Sequence, residues 1–132
     1  MQKRDYLIRL IERVAEAIAA ILAHLSKDEI ERARHTADEA LRLATRVDRN
    51  TFDKLDAATL APLLGPPEAV RAIARLTATA ADVERAAGRM DEAARRTRRA
   101  AELYRVVGPG DDPADHACIA ALGKALAKHA KP

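Results

Sequence analysis

The chain is poor in aromatic side chains and has almost no cysteine. Its 132 residues include one phenylalanine, two tyrosines and no tryptophan, so only 2% are aromatic. Proteins that hold single-stranded nucleic acid stack the bases on aromatic rings, so this class of ligand is not the expected one. The single cysteine, Cys118, excludes an internal disulfide and gives no spaced set of zinc ligands, which fits a reducing compartment.

Long apolar runs and an excess of one charge are also missing. The longest apolar stretch, residues 14–25, contains Glu16 and His24, so it is too short and too polar to cross a bilayer. No basic segment with a small-residue cleavage site precedes it, and we therefore expect a cytoplasmic protein without membrane contact. The 23 lysines and arginines are set against 20 acidic residues, and no segment resembles a basic nucleic-acid-binding tail.

The chain is instead rich in alanine, leucine, arginine and glutamate, which favour helix because they lose little side-chain entropy there. We predict a single all-α domain over residues 1–132, in which two antiparallel helix pairs are joined by a connector of short helices and followed by a C-terminal helix. The predicted segments are the helix pair 5–47, the connector 48–67, the helix pair 68–107 and the C-terminal helix 113–129.

The first helix is predicted to be apolar on more than one face. Its main stripe recurs at three- and four-residue steps and consists of Leu7, Ile11, Val14, Ile18, Ile21 and Leu25. A second stripe, Ile8, Ala15 and Leu22, widens the apolar face beyond what one neighbouring helix needs. Because large exposed apolar patches are rare on monomers, this excess predicts a homodimer that forms through the first helix.

Short polar signals predict where individual helices begin. Ser26 followed by Glu29 has the spacing of a capping box, in which each side chain satisfies a backbone N–H of the other, and it predicts the start of the second helix. Thr51 and Asp56 are predicted caps of the two short helices in the connector. Gly88 is predicted to form the turn between the third and fourth helices.

One pattern occurs twice, 60 residues apart. The residues Ala33, Ala40 and Leu43 match Ala93, Ala100 and Leu103. The run Ala81…Gly88-Arg89-Met90-Asp91-Glu92-Ala93…Ala100…Leu103 resembles a tetratricopeptide repeat, whereas the first copy has Asp28 where glycine is usual. Residues 5–12 also resemble the start of a bacterial family of small, uncharacterised tetratricopeptide-like proteins, which implies no known activity.

The tetratricopeptide resemblance implies a groove lined by the first helix of each pair. Its partner-binding positions, transferred by alignment, are Ile18, Leu22, Leu25, Arg75, Asp82 and Arg85, with Ala78 between them. Some members of that fold grip a terminal carboxylate with Lys and Asn at such positions, and this chain has neither residue there. We expect the apolar end of the groove to be either covered by residues 60–64 or buried against a second subunit.

The chain shows little of the residue inventory that catalysis requires. Glu31, His35 and Asp38 share one helical face, but three ligands from a single exposed face rarely complete a metal shell, so a solvated polar face is the preferred interpretation. Gly108-Pro109-Gly110 lacks the lysine and hydroxyl residue of a phosphate-binding loop. We therefore predict no catalytic residue, no metal, no cofactor and no enzymatic activity.

The fourth helix carries six arginines, and we expect salt bridges at four-residue spacing to compensate several of them. The expected pairs are Asp91–Arg95, Glu92–Arg96 and Arg98–Glu102, which leaves Arg89, Arg99 and Arg105 as candidate anion-binding residues. The leading prediction is a non-enzymatic protein–protein interaction module that self-associates as a dimer. The alternative is an accessory protein that binds nucleic acid or an anionic ligand through these arginines.

Overall fold

In the computed structural model, the backbone is described from residue 2 to residue 130 and the side chains from residue 4 to residue 128. Every regular element in that part of the chain is an α-helix, which confirms the all-α prediction. The helices are α1 (Gln2–Ser26), α2 (Ile30–Thr45), α3 (Arg49–Lys54), α4 (Ala57–Leu64), α5 (Pro67–Ala86), α6 (Met90–Val107) and α7 (Pro113–Ala130).

Aspartate side chains open both short helices of the connector. Asp48 accepts a hydrogen bond from the Thr51 backbone N–H at 2.7 Å, and Asp56 accepts one from the Thr59 N–H at 3.1 Å. The hydrogen bonds from Thr51 and Thr59 lower the pKa of both carboxyls below the ordinary aspartate value. The prediction that Asp56 is a cap is confirmed. Thr51, the other predicted cap, is instead the third residue of α3. The cap of this helix is Asp48, because its carboxylate is a stronger acceptor than a threonine hydroxyl.

The predicted capping box at the start of α2 is wrong. The helix α1 continues through Ser26, whose hydroxyl donates to the Ala23 carbonyl at 2.8 Å, and the chain turns at Asp28 with φ at +60°. The Glu29 carboxylate contacts His24 in α1 and makes no capping hydrogen bond to α2. The longer α1 thus uses Ser26 as a helical residue, and the start of α2 moves to Ile30.

The helix α5 is the centre of the fold. It packs against α1, α2, α4, α6 and α7, and its Ile73 and Leu76 side chains are fully buried. The connector helix α4 packs on α5 and α6, with Leu60 fully buried. Leu22 in α1 stays 50% exposed, so the connector does not cover that residue.

The turns α1–α2 and α5–α6 have the same hydrogen-bond pattern. The Glu29 N–H donates to the His24 carbonyl at 2.9 Å, and the Arg89 N–H donates to the Glu84 carbonyl at 2.8 Å. The residue before each donor has positive φ: +60° at Asp28 and +77° at Gly88. The two copies of the sequence pattern, 60 residues apart, are therefore preceded by turns of the same geometry.

Candidate docking groove between the first two helices

A groove of about 720 Å³ lies between α1 and α2, and every residue that lines it belongs to these helices or to the C-cap of α2. We call it the docking groove. The lining residues on α1 are Tyr6, Arg9, Leu10, Arg13, Val14, Glu16 and Ala17. Those on the α2 side are Ala40, Arg42, Leu43, Ala44 and Arg46.

The floor of the docking groove is apolar. Leu10 and Val14 are buried members of the protein core, and the small side chains of Ala40 and Ala44 leave the space above them open. Leu43 is 60% exposed although the sequence pattern pairs it with Leu103, which is fully buried. The two positions differ because α6 is packed by α4 and α7 as well as by α5, whereas Leu43 lies in the wall of an open groove.

The rim of the docking groove is positively charged. Arg9, Arg13, Arg42 and Arg46 line it together with a single acidic residue, Glu16. The Arg46 guanidinium lies over the Tyr6 ring, 5.0 Å from its centroid, which is within the range of a cation–π interaction. Of the four arginines, Arg42 also has a carboxylate partner on its own helix, the Glu39 side chain at 2.6 Å.

The predicted partner-binding residues of α1 do not all face solvent. Ile18 and Leu25 are partly buried and pack against the core, whereas Leu22 is 50% exposed. Ile8, from the second apolar stripe of α1, is 46% exposed. None of these four residues lines the docking groove, which uses a different part of the α1 surface.

The predicted partner-binding residues of α5 are engaged within the chain. Arg75 Nε lies 3.2 Å from an Asp115 carboxylate oxygen, and Arg75 Nη1 lies 3.8 Å from Asp112. Asp82 and Arg85 lie one turn apart and form a salt bridge at 2.5 Å, and Arg85 also donates to the Thr97 hydroxyl at 3.2 Å. The structure therefore brings Asp82 and Arg85 together and turns Arg75 toward α7.

Asp115 is buried, and Arg75 shares it with Tyr104. The Tyr104 hydroxyl donates to Asp115 Oδ1 at 2.5 Å, so α5, α6 and α7 meet at one carboxylate. Burial and this hydrogen bond raise the pKa of Tyr104 far above its ordinary value, which keeps the hydroxyl protonated as a donor. From the sequence, Asp115 is recognisable only as an acidic residue in the first turn of α7.

The arginines of α6 form one of the predicted pairs and several others. Glu92 is buried and contacts Arg95 at 2.5 Å, Arg96 at 3.4 Å and also Arg49 of α3. Burial raises the pKa of Glu92, but the hydrogen bond from Arg95 and the charges of Arg49 and Arg96 outweigh it, so the pKa lies below the ordinary value. The Glu92–Arg96 prediction is confirmed, while the contact with Arg49 joins residues 43 positions apart.

The three candidate anion-binding residues, Arg89 at the N-cap of α6 and Arg99 and Arg105 within it, have different surroundings. Arg89 Nε lies 2.6 Å from the buried Glu84 carboxylate. Arg99 is 9% exposed, and its Nη2 donates to the Asp53 and Leu55 carbonyls at 2.9 and 2.6 Å. Arg105 is exposed on the outer face of the helix.

No group of three or more His, Cys, Asp or Glu side chains among the described residues is placed to hold a metal ion, which includes the face of α2 around Glu31, His35 and Asp38. None of the described helices is both long enough and apolar enough to cross a membrane.

The comparisons with known proteins gave no match. No protein-family model, no curated protein and no solved structure matches this chain. The tetratricopeptide-like resemblance therefore stays a prediction from the sequence, and the function has to be argued from the geometry of the chain itself.

Proposed function

We propose that this protein is a non-enzymatic protein-interaction module of tetratricopeptide-like type that binds an acidic, amphipathic helix of a partner protein in the docking groove. One observation carries the proposal: an open apolar floor between α1 and α2 is bordered by four arginines and one glutamate. Stacked helix pairs that share a turn geometry are typical of scaffolds that hold partners. The equal turns at Asp28 and Gly88 support this comparison.

The chemistry of the groove favours a helical occupant with one apolar and one acidic face. An amphipathic helix offers apolar side chains at positions i, i+3 or i+4, and i+7, which is the usual way that such a helix fills a groove. Tyr6 and Leu43 are 45% and 60% exposed and would lose water on binding. Acidic side chains at the edges of that helix would meet Arg9 and Arg13, and arginine pairs with carboxylates through two parallel hydrogen bonds.

The surface proposed here differs from the one that alignment to tetratricopeptide repeats suggests. Of the aligned positions on α5, Arg75 is held by Asp112 and Asp115, and Asp82 pairs with Arg85. The exposed Leu22 stays a candidate for self-association of the chain. The partner helix is therefore assigned to the docking groove, and the α1 surface around Leu22 to a second copy of this protein.

The alternative function, binding of nucleic acid through α6, has less support from the contacts. Phosphate-backbone binding relies on accessible lysines and arginines along one surface. Arg96 and Arg99 are buried, and Arg89 and Arg95 have carboxylate partners within the chain. Arg98 and Arg105 are the exposed arginines of α6 for which no such partner is described.

A selection of helical peptides tests the proposal on the purified protein. We expect peptides displayed on phage to be enriched for apolar residues at helical spacing with glutamate and aspartate on the flanking positions. The selected peptide is then titrated against Leu43→Asp and against Leu63→Asp, because both leucines are 60% exposed but only Leu43 lines the groove. We expect Leu43→Asp to abolish binding and Leu63→Asp to leave the Kd unchanged.

Charge reversal provides the second arm of this test. Arg9→Glu with Arg13→Glu should weaken the acidic peptide by about 100-fold, since each charged contact contributes roughly 1–2 kcal/mol. Arg98→Glu, an exposed arginine outside the groove, is the matched control. Enrichment of basic peptides would contradict the proposal. So would control variants, Leu63→Asp and Arg98→Glu, that lose as much affinity for the peptide as the groove variants do.

A further inference from the structure

A second pocket, of about 390 Å³, lies where the end of α3 and the start of α4 meet the outer face of α6. We call it the anion pocket. Its charged lining residues are Lys54, Asp56, Arg99, Glu102 and Arg105. Three cations therefore face two carboxylates, and none of these residues lines the docking groove.

The guanidinium of Arg99 is held in one orientation. Its Nη2 donates to the carbonyls of Asp53 and Leu55, and its centre lies 5.9 Å from the centroid of the Phe52 ring. The side chain is only 10% exposed. These contacts fix the position of the second terminal nitrogen, Nη1, which also lies on the guanidinium plane.

Arg99 Nη1 is buried, and no group among the described residues forms a hydrogen bond with it. The Glu102 carboxylate forms an ion pair with Arg99, with Oε1 3.5 Å from Nη1, but it makes no hydrogen bond to this nitrogen. Buried polar groups without a partner are rare because they lose their hydration and gain nothing in return. A fixed, buried and charged N–H donor in a pocket with two further cations indicates an anionic ligand.

Of the two carboxylates in the pocket, Asp56 already has hydrogen-bond partners and Glu102 can move away. Asp56 is bound to the Thr59 N–H and to the Thr59 hydroxyl, at 3.1 and 2.8 Å. The Glu102 side chain is 45% exposed and can rotate into water when a stronger acceptor approaches Nη1. Lys54 and Arg105 are exposed, and their long side chains can follow the ligand.

We propose that the anion pocket binds a phosphate dianion, either free or as the end group of a phosphomonoester, with Arg99 Nη1 as its fixed donor and Lys54 and Arg105 as its mobile cations. The tetrahedral group accepts hydrogen bonds on several oxygens at once, so three donors can share it. This site is separate from the docking groove, and its existence does not depend on the partner helix.

Calorimetric titration of the full chain with inorganic phosphate tests this site. The ionic strength is held constant with sodium chloride, because exposed charges are screened by salt. We expect saturable binding with one site per chain, and Lys54→Gln or Arg105→Gln should each weaken it by about tenfold, the effect of one lost charged hydrogen bond. Arg98→Gln is the matched control and should leave the Kd within about twofold, since this arginine does not line the pocket.

A titration with O-phosphoserine distinguishes the two sources of the group. Tighter binding of O-phosphoserine than of inorganic phosphate would assign the pocket to a phosphomonoester, and the reverse would assign it to the free ion. The proposal would be overturned if neither compound showed saturable binding. It would also be overturned if Arg98→Gln lost as much affinity as Lys54→Gln and Arg105→Gln. Arg99 itself is kept intact, because its contacts with Asp53 and Leu55 hold α3 in place.

Discussion

His24 Nδ1 and Glu29 Oε1 lie 2.8 Å apart across the turn between α1 and α2. Sixty residues later, Glu84 Oε1 and Arg89 Nε lie 2.6 Å apart across the turn between α5 and α6. The acidic residue is the second of the pair in the first turn and the first of the pair in the second turn, while the backbone hydrogen bond between the same two positions is retained. The repeated feature is therefore the geometry of the turn, which brings the two side chains together whichever of them carries the negative charge.

The two turn pairs should differ in their contribution to stability. Glu84 is buried between Arg34 and Arg89, so Glu84→Gln removes a carboxylate that both arginines contact and leaves Arg34 with the exposed Glu31 as its other partner. Both arginines are partly exposed, and we therefore expect a loss of about 2 kcal/mol in the free energy of unfolding. Glu29→Gln, which removes the carboxylate of the first turn from a position where 34% of the side chain is exposed, should cost clearly less. Urea unfolding of both variants at neutral pH makes the comparison, and equal losses would contradict it.

The cluster around Glu92 should make stability depend on pH in the acidic range. The pKa of Glu92 lies below its ordinary value of 4.5, so the folded state binds its proton less tightly than the unfolded state does. The stabilisation is complete above the unfolded pKa and is lost as the pH falls through the folded pKa. Glu92→Gln should thus be less stable than the wild type at pH 7, and the difference should shrink at acidic pH. Glu31→Gln, at a highly exposed position, should show almost no such change.

The positive φ at Asp28 predicts a stabilising substitution. Left-handed backbone costs less for glycine than for any residue with a Cβ atom, and Gly88 already occupies the equivalent position in the second turn. Asp28→Gly should therefore raise the free energy of unfolding by about 0.5–1 kcal/mol, and Gly88→Asp should lower it by a similar amount. Thermal unfolding measures both variants. A lower melting temperature for Asp28→Gly would show that the aspartate side chain stabilises the turn.

The hydrogen bond from Tyr104 to Asp115 should control how firmly α7 is attached. Tyr104→Phe removes the donor and leaves the buried carboxylate with Arg75 alone, which should cost about 1–2 kcal/mol. Cys118 reports on this change because burial raises the pKa of its thiol and slows its reaction with disulfide reagents, while the Tyr104 hydroxyl lowers that pKa, so the loss of the hydroxyl by itself would slow labelling and only a looser α7 would speed it. We expect faster labelling of Cys118 in Tyr104→Phe. Labelling at the wild-type rate would mean that α7 is held without this hydrogen bond.

Self-association through α1 is a separate prediction. Ile8 and Leu22 expose 46% and 50% of their surface, and Ala15 lies between them on the same stripe. Light scattering at two protein concentrations and two salt concentrations should give a dimer that persists at high salt, because apolar contacts are not screened. Leu22→Asp should dissociate this dimer and Leu63→Asp should not. A wild-type protein that is monomeric in all four conditions would exclude the predicted dimer.

Local features of the chain could be predicted from the sequence. The bounds of α6, Met90–Val107, follow from the glycines on either side and from the apolar spacing, and the cap at Asp56 depends only on a residue three positions away. The failed capping box at Ser26 shows the limit of such local rules. Ser26 satisfies the pattern, but α1 continues past the expected end because the turn closes at Asp28.

The candidate sites depend on contacts between distant parts of the chain, and these were not predictable. The salt bridge from Arg34 to Glu84 joins residues 50 positions apart, and only the packing of α2 on α5 decides that these two charges meet. Leu43 matches Leu103 in sequence, yet it lines an open groove. The two positions differ because α4, α5 and α7 pack on α6, whereas α1 and α5 pack on α2. Identical local patterns thus lead to a core residue in one copy and to a surface residue in the other.

The central position of α5 has a consequence for the order in which the chain is made. Helices form within about a microsecond, so α1 and α2 can pair as soon as both have been synthesised. The roughly 40 residues from the end of α2 at Thr45 to the end of α5 at Ala86 then take about 2–8 s to add at ordinary rates of translation. Throughout that interval the faces of α1 and α2 on which α5 later packs are open to water. Until α5 has been synthesised, the nascent chain therefore exposes apolar helix surface of the kind that makes incomplete chains prone to aggregate.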